Sequence, residues 1–89
     1  MKYKVLFTER ALKQFKKLDI NVSSLIFGWI EKNIEGSSNP RMFGKALTGN
    51  KTGQWRYRIG DYRLLCEIRD KEIVALVLEV GHRKEIYKK

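Results

Sequence analysis

The 89 residues leave room for one domain with one core, and 43% hydrophobic with 11% aromatic residues excludes a disordered chain despite a charged fraction of 33%. A net charge of +9 points to a polyanionic partner without saying whether that is nucleic acid, anionic lipid or an acidic protein. The single Cys66 excludes an internal disulfide and fits a reducing, cytoplasmic setting; nothing near it has metal-ligand spacing, so neither a metal nor a cofactor is expected. The apolar run within MKYKVLFTER is short of a signal peptide or a membrane span, and no membrane association is expected.

Along the chain, Lys2–Phe7 reads as a strand, followed by Thr8 as a helix N-cap. Ala11, Leu12, Phe15 and Leu18 then recur at helical spacing, with Lys13, Lys16 and Lys17 forming a solvated side. Val22, Leu25, Ile26, Trp29, Ile30, Asn33 and Ile34 mark a second helix closed by Gly36, and the short link between the two predicts an antiparallel helical hairpin. Residues 36–54 are irregular, with a helical turn expected around Arg41–Leu47. After Gly53 the period becomes two. Trp55, Tyr57 and Ile59 alternate with Arg56 and Arg58, Gly60-Asp61 makes a hairpin turn, a strand follows from Tyr62 to Arg69, and Asp70-Lys71 makes a second tight turn into the apolar run Ile73–Val80. Residues 1–89 therefore read as a single α+β domain, β-α-α-β-β-β, with the helical hairpin packed on one face of a small, mainly antiparallel sheet and a short C-terminal tail.

If Gly60-Asp61 sets the register, Ile59 faces Tyr62, Tyr57 faces Leu64 and Trp55 faces Cys66 on one apolar face. The other face carries Arg56, Arg58, Arg63 and Leu65, with Arg58 directly across from Arg63, a like-charge pairing that destabilises a sheet. With Asp70-Lys71 as a two-residue turn and no bulge, residue 80 returns beside residue 61, and parity places His82 on the arginine face. Arg56, Arg58, Arg63, His82 and Arg83 then converge at one end of one face, with Tyr87 able to fold back over it.

Grouped guanidiniums suit a phosphate, because each is planar, permanently charged and often bidentate. Arg56 and Arg58, with Lys45 and Lys51 from the preceding loop, are the candidate RNA- or phosphate-binding residues. Cleavage of RNA also needs groups that take a proton from the 2′-hydroxyl and give one to the 5′-oxygen. The proton carriers available are His82, Tyr87, Glu67, Glu79 and Glu85. A lone histidine at a strand end is more often a surface residue, and a tail tyrosine more often a packing staple. Tyr3, Trp29, Trp55 and Tyr57 are assigned to the core. Periodicity and spacing alone end at a phosphate-binding sheet face with acid–base groups nearby.

The segment Trp55-Arg56-Tyr57-Arg58-Ile59-Gly60-Asp61-Tyr62-Arg63-Leu64-Leu65, followed by Val80-Gly81-His82-Arg83-Lys84-Glu85-Ile86-Tyr87, resembles the RelE branch of the RelE/ParE toxin superfamily. Phe7-Thr8-Glu9-Arg10-Ala11-Leu12-Lys13 and Leu47-Thr48-Gly49 extend the resemblance over nearly the whole chain. The resemblance implies a RelE/ParE-like, microbial-ribonuclease-like fold. It also implies a metal-independent endoribonuclease that cuts mRNA in the ribosomal A site, and a cognate antitoxin that wraps the toxin, usually in a heterotetramer. Arg63 and Arg83 match the arginines that hold the scissile phosphate, His82 is the candidate general acid, and Tyr87 matches the tail tyrosine that orients or stacks on the substrate. Arg56 and Arg58 stand where the family often has lysine, which leaves the general base open between Tyr87 and a carboxylate such as Glu67. The alternatives are a ParE-like inhibitor of DNA gyrase, which shares the fold and needs no catalytic residues, and a non-catalytic nucleic-acid binder.

Overall fold

In the computed structural model, which describes residues 2–49 and 53–86, the elements run β1 (Lys4–Phe7), α1 (Glu9–Lys17), α2 (Ile20–Asn33), a 3-10 turn (Pro40–Met42), β2 (Lys45–Ala46), β3 (Gln54–Ile59), β4 (Tyr62–Arg69), β5 (Val74–His82) and α3 (Arg83–Ile86). One five-stranded sheet has the order β1-β5-β4-β3-β2, antiparallel except where β1 lies parallel to β5. The expected layout holds, with β2 added as a short edge strand. The irregular stretch departs from its expected helical turn: only Pro40–Met42 is helical, capped by the Asn39 side chain, and Lys45–Ala46 pairs with β3 instead.

The helical hairpin packs where the sequence pattern puts it. Ala11 and Phe15 of α1 and Ile26 and Ile30 of α2 are buried, with Ile34 just beyond, against Tyr57, Leu64, Cys66, Ala75, Val77 and Val80 of the sheet. Each buried isoleucine contributes about 1.5–3 kcal/mol. Trp29 and Trp55 pack on this cluster while staying half-exposed. Tyr57 is fully buried and donates its hydroxyl to the Pro40 carbonyl, which ties the 3-10 turn to the core. Leu12, Ile20, Leu25 and Phe27 stay exposed, so the outer side of the hairpin keeps an apolar strip.

The β3–β4 register is the expected one: Ile59 pairs with Tyr62, Tyr57 with Leu64, Trp55 with Cys66, and Arg58 with Arg63. The β4–β5 connection differs in two ways. The turn is four residues long, because Arg69 pairs with Val74 and Ile73 takes a positive φ of 56°. A bulge then interrupts the pairing: Cys66 lies across from Val77 but Leu65 from Glu79, leaving Leu78 extra. The bulge sits where β1 ends opposite Val77 and the β5 edge loses its neighbour. Two side chains of the first helical segment take over there. Thr8 Oγ1 donates to the Leu78 carbonyl at 3.3 Å while accepting the Ala11 amide at 3.1 Å, and Gln14 Oε1 accepts the Val80 amide at 2.8 Å.

A polar clamp closes the opposite end of the sheet. Tyr3 is not a core residue; its hydroxyl donates to Asp70 at 2.6 Å, and Arg41 reaches the same carboxylate through two bonds of 2.9 and 3.1 Å. The Arg41 guanidinium, with the Tyr3 hydroxyl second, holds the Asp70 carboxyl below the usual carboxylate range.

Two outcomes follow from these contacts. Thr8→Ala removes a cap and a bond to the bulge, and urea unfolding should show a loss of about 1–2 kcal/mol; an unchanged midpoint would mean that neither bond matters. Because the folded-state pKa of Asp70 lies below that of the unfolded chain, its stabilisation is complete above the ordinary carboxylate range and disappears as pH falls through the folded value. Asp70→Asn should therefore lower Tm near neutral pH, with the gap to wild type closing below about pH 4 in melts from pH 7 to 2. A gap independent of pH would contradict the clamp.

Candidate nucleic-acid interface

Cross-strand pairing sorts the chemistry-bearing residues into rows. One row crosses the sheet as Lys45, Arg56, Leu65 and Glu79, and the next as Arg58, Arg63 and Gly81, all on the face away from the helical hairpin. Neighbouring strands lie about 4.8 Å apart, so three arginines and one lysine share a small patch. Arg58 is exposed, Arg56 is half-buried, and Arg63, on the central strand β4, is only 5% exposed. Arg63 is thus largely enclosed by its neighbours, whereas Arg58 stands open to solvent.

His82 does not join this face. The bulge at Leu78 shifts parity by one, so His82 pairs with Tyr62 on the helix side of the sheet, its ring edge-on to Tyr62 at 5.5 Å. It lines a pocket of about 460 Å³ with Gln14, Lys17, Asp19, Tyr62 and Val80. The Lys84 amide donates to His82 Nδ1 at 3.2 Å, so exchange of a proton with a substrate falls to Nε2. The reading of His82 as a member of the arginine face is corrected: it shares their end of the sheet but looks out on the other side. Arg83 opens α3 at the rim between the two sides, where its amide donates to the Asp61 carbonyl of the β3–β4 turn at 2.9 Å. Tyr87 and Lys51 lie outside the described residues.

The carboxylates separate by distance. Glu67 is bonded to Arg69 at 2.9 Å and stands four residues, roughly 13 Å, along β4 from Arg63, which removes it as a partner of that guanidinium. Glu79 is diagonal to Arg63 and meets Arg10 at 3.5 Å. Arg41 and Arg69 likewise lie against carboxylates of the chain, at the far end of the sheet. Burial pushes the Cys66 thiol up to about 12, so it stays protonated and offers no nucleophile. Among the described residues, no three His, Cys, Asp or Glu side chains are grouped to hold a metal ion. Thr8 and Gln14, which fix where His82 emerges, went unrecognised in that role, since their partners are far away in sequence.

Known proteins resemble the chain over nearly its whole length. Residues 5–87 match the family model of the ParE toxin of the type II toxin–antitoxin system parDE. The toxin RelG of Mycobacterium tuberculosis is 32% identical over 89 residues, covering 100% of both chains. The mRNA interferase toxin RelE of Escherichia coli is 32% identical over 90 residues, covering 98% of this chain and 92% of its own. The solved toxin–antitoxin complex RelBE2 from M. tuberculosis superposes with a TM-score of 0.82 at 28% identity, over 93% of each chain. These similarities define the toxin of a type II toxin–antitoxin system. The chain belongs to the RelE/ParE superfamily, as a RelE-like member.

The like-charge pair gives the patch a measurable signature. Arg58→Ala should leave stability unchanged or raise it by about 0.2–1 kcal/mol, since it relieves the repulsion across from Arg63. The same change should weaken single-stranded oligonucleotide binding and reduce its log–log salt slope by about 0.7. A loss of more than 1 kcal/mol in denaturant titrations, or an unaltered slope, would contradict a phosphate-facing role for Arg58.

Proposed function

We propose that this toxin is a ribosome-dependent endoribonuclease that cleaves mRNA in the A site by attack of the 2′-hydroxyl, without a metal, and so halts translation in the cytoplasm. The observation that carries the reading is the Arg58–Arg63 pairing: two arginines stand directly across from each other on neighbouring strands with Arg56 on the same face, a like-charge placement that suits a bound phosphate. The likeness to an mRNA interferase supports RNA as the source of that phosphate.

In this reading Arg63 and Arg83 hold the scissile phosphate at the rim of the sheet and stabilise its crowded transition state. Arg56 and Arg58, with Lys45 and Lys51, carry the flanking backbone. His82 approaches from the helix side and protonates the leaving 5′-oxygen through Nε2. Tyr87 stacks on or orients the nucleotide; the general base is Tyr87 or a carboxylate, and Glu67, tied to Arg69, is disfavoured for it.

The same reading assigns the chain a cognate antitoxin, in a heterotetramer. Solved structures similar to it include the RelBE complex of E. coli and RelBE2 of M. tuberculosis, and the exposed Leu12, Ile20, Leu25 and Phe27 give an antitoxin an apolar strip to cover. A second reading, a ParE-like inhibitor of DNA gyrase, has the ParE family model in its favour.

Mapping RNA 5′ ends on translating ribosomes separates the two. Wild-type toxin should create new ends inside coding sequence, and the double variant His82→Ala, Arg83→Ala should lower their yield at least a hundredfold. Growth arrest with intact messages and broken DNA would replace the nuclease reading by the gyrase one.

A further inference from the structure

Past the end of β2 the edge of β3 is open, and a groove of about 360 Å³ lies there, lined by Trp29, Phe43, Gly44, Lys45, Arg56 and Arg58. Its apolar wall is unusual for its surroundings. Phe43 is 43% exposed although it stands among three cations. Core packing does not require it there, because Trp29 already covers Tyr57, with ring centroids 5.4 Å apart.

The segment is nonetheless held firmly. The Phe43 carbonyl accepts the Trp55 indole N–H at 2.6 Å, and the Phe43 ring leans on Trp29 at 5.9 Å in an edge-on arrangement. Gly44 has a positive φ of 83°, and a Cβ there would fall 2.3 Å from the Arg56 carbonyl oxygen, so the backbone crosses β3 at a distance only glycine permits. An exposed aromatic ring fixed at low entropy beside guanidiniums is the combination that receives a nucleotide of a single strand: a base stacks on the ring and a phosphate meets the cations. The groove's volume is that of a small-ligand site. An acidic protein segment would use the charges but leave the flat ring without purpose.

We propose that this groove is a nucleotide subsite, in which Phe43 stacks on a base of single-stranded RNA next to the cleaved bond while Lys45, Arg56 and Arg58 hold that nucleotide's phosphate. The proposal rests on the nuclease reading and extends it. Arg58 in the groove's wall pairs across β3 and β4 with Arg63, so the RNA would run across the strands from the rim at Arg83 past Arg63 to the β2–β3 edge.

The test is fluorescence anisotropy of a labelled six-nucleotide 2′-O-methyl RNA, which cannot be cleaved by its own 2′-oxygen, with the purified toxin and its Phe43→Ala, Phe43→Leu and Phe43→Trp variants. Phe43→Ala and Phe43→Leu should each weaken binding about tenfold, and Phe43→Trp should stay within about twofold of wild type. An RNA made abasic at one particular position should show the same loss with wild type and no further loss with Phe43→Ala, as a coupled pair requires. Thermal melts confirm that the variants are folded. Equal affinity of wild type and Phe43→Ala, an equal drop on every abasic RNA, or no binding of the oligonucleotide to wild type would each overturn the subsite. Mapped cleavage ends on ribosomes persisting in Phe43→Ala would then leave the nuclease reading standing, and their absence with wild type would remove it.

Discussion

The two-residue turn at Gly60-Asp61 is the constraint on which the rest of the site depends. It fixes the β3–β4 register, and a slip of one residue would turn one strand over, putting Arg58 in place of Tyr57 or Arg63 in place of Leu64 in the core. The register that buries the apolar set therefore obliges the arginines to share the opposite face. Arg58 and Arg63 then stand directly across from each other on neighbouring strands, about 5 Å apart at Cβ, a like-charge pairing that an anion on this face would relieve. Apolar burial on one side of the sheet thus sets up anion affinity on the other. The basic face is a consequence of the core, not an addition to it.

The bulge at Leu78 acts on this arrangement from the other flank. Without it, His82 would stand among the arginines; with it, His82 turns to the helix side and meets Tyr62. Thr8 and Gln14 hold the bulge, so the start of α1 determines where the end of β5 presents its imidazole. In the proposed reaction this separation has a chemical use. The phosphate sits at the rim near Arg83, gripped from one side of the sheet, and the proton donor comes from the other, so the two groups reach the reacting bond from different directions.

Much of this was legible in the sequence where the signal was local. Thr8 before the first helical residue, Gly36 after the last, and Gly60-Asp61 between alternating strands carry their own stereochemistry, and each structure forms where they stand. The failures were non-local. The β4–β5 turn ends on Ile73 at positive φ, a conformation β-branched residues rarely take, so the residue types gave no warning. The bulge depends on side chains 66 and 70 residues away in sequence, beyond any periodic pattern. Tyr3 looked like core because its ring is large, but Asp70 and Arg41 draw its hydroxyl to the surface. In the candidate site Arg56, Arg58 and Arg63 take the face expected of them, whereas the bulge turns His82 to the other side and Arg83 falls at the rim, at the start of α3. Membership of the toxin superfamily came from the paired Gly-Asp-Tyr-Arg and Gly-His-Arg elements; charge and periodicity pointed only to an anion.

In the proposed complex RNA phosphates lie along the basic sheet face, the scissile one at Arg63 and Arg83 and a flanking one at Arg56 and Arg58. Arginine Nε–H resonances, recorded while the toxin is titrated with an uncleavable RNA oligonucleotide, test this placement most directly. The signals of Arg56, Arg58 and Arg63 should shift together and saturably, while those of Arg41 and Arg69, engaged by Asp70 and Glu67 at the far end of the sheet, stay in place. Shifts confined to Arg41 and Arg69, or a face that stays silent while the RNA binds elsewhere, would contradict it.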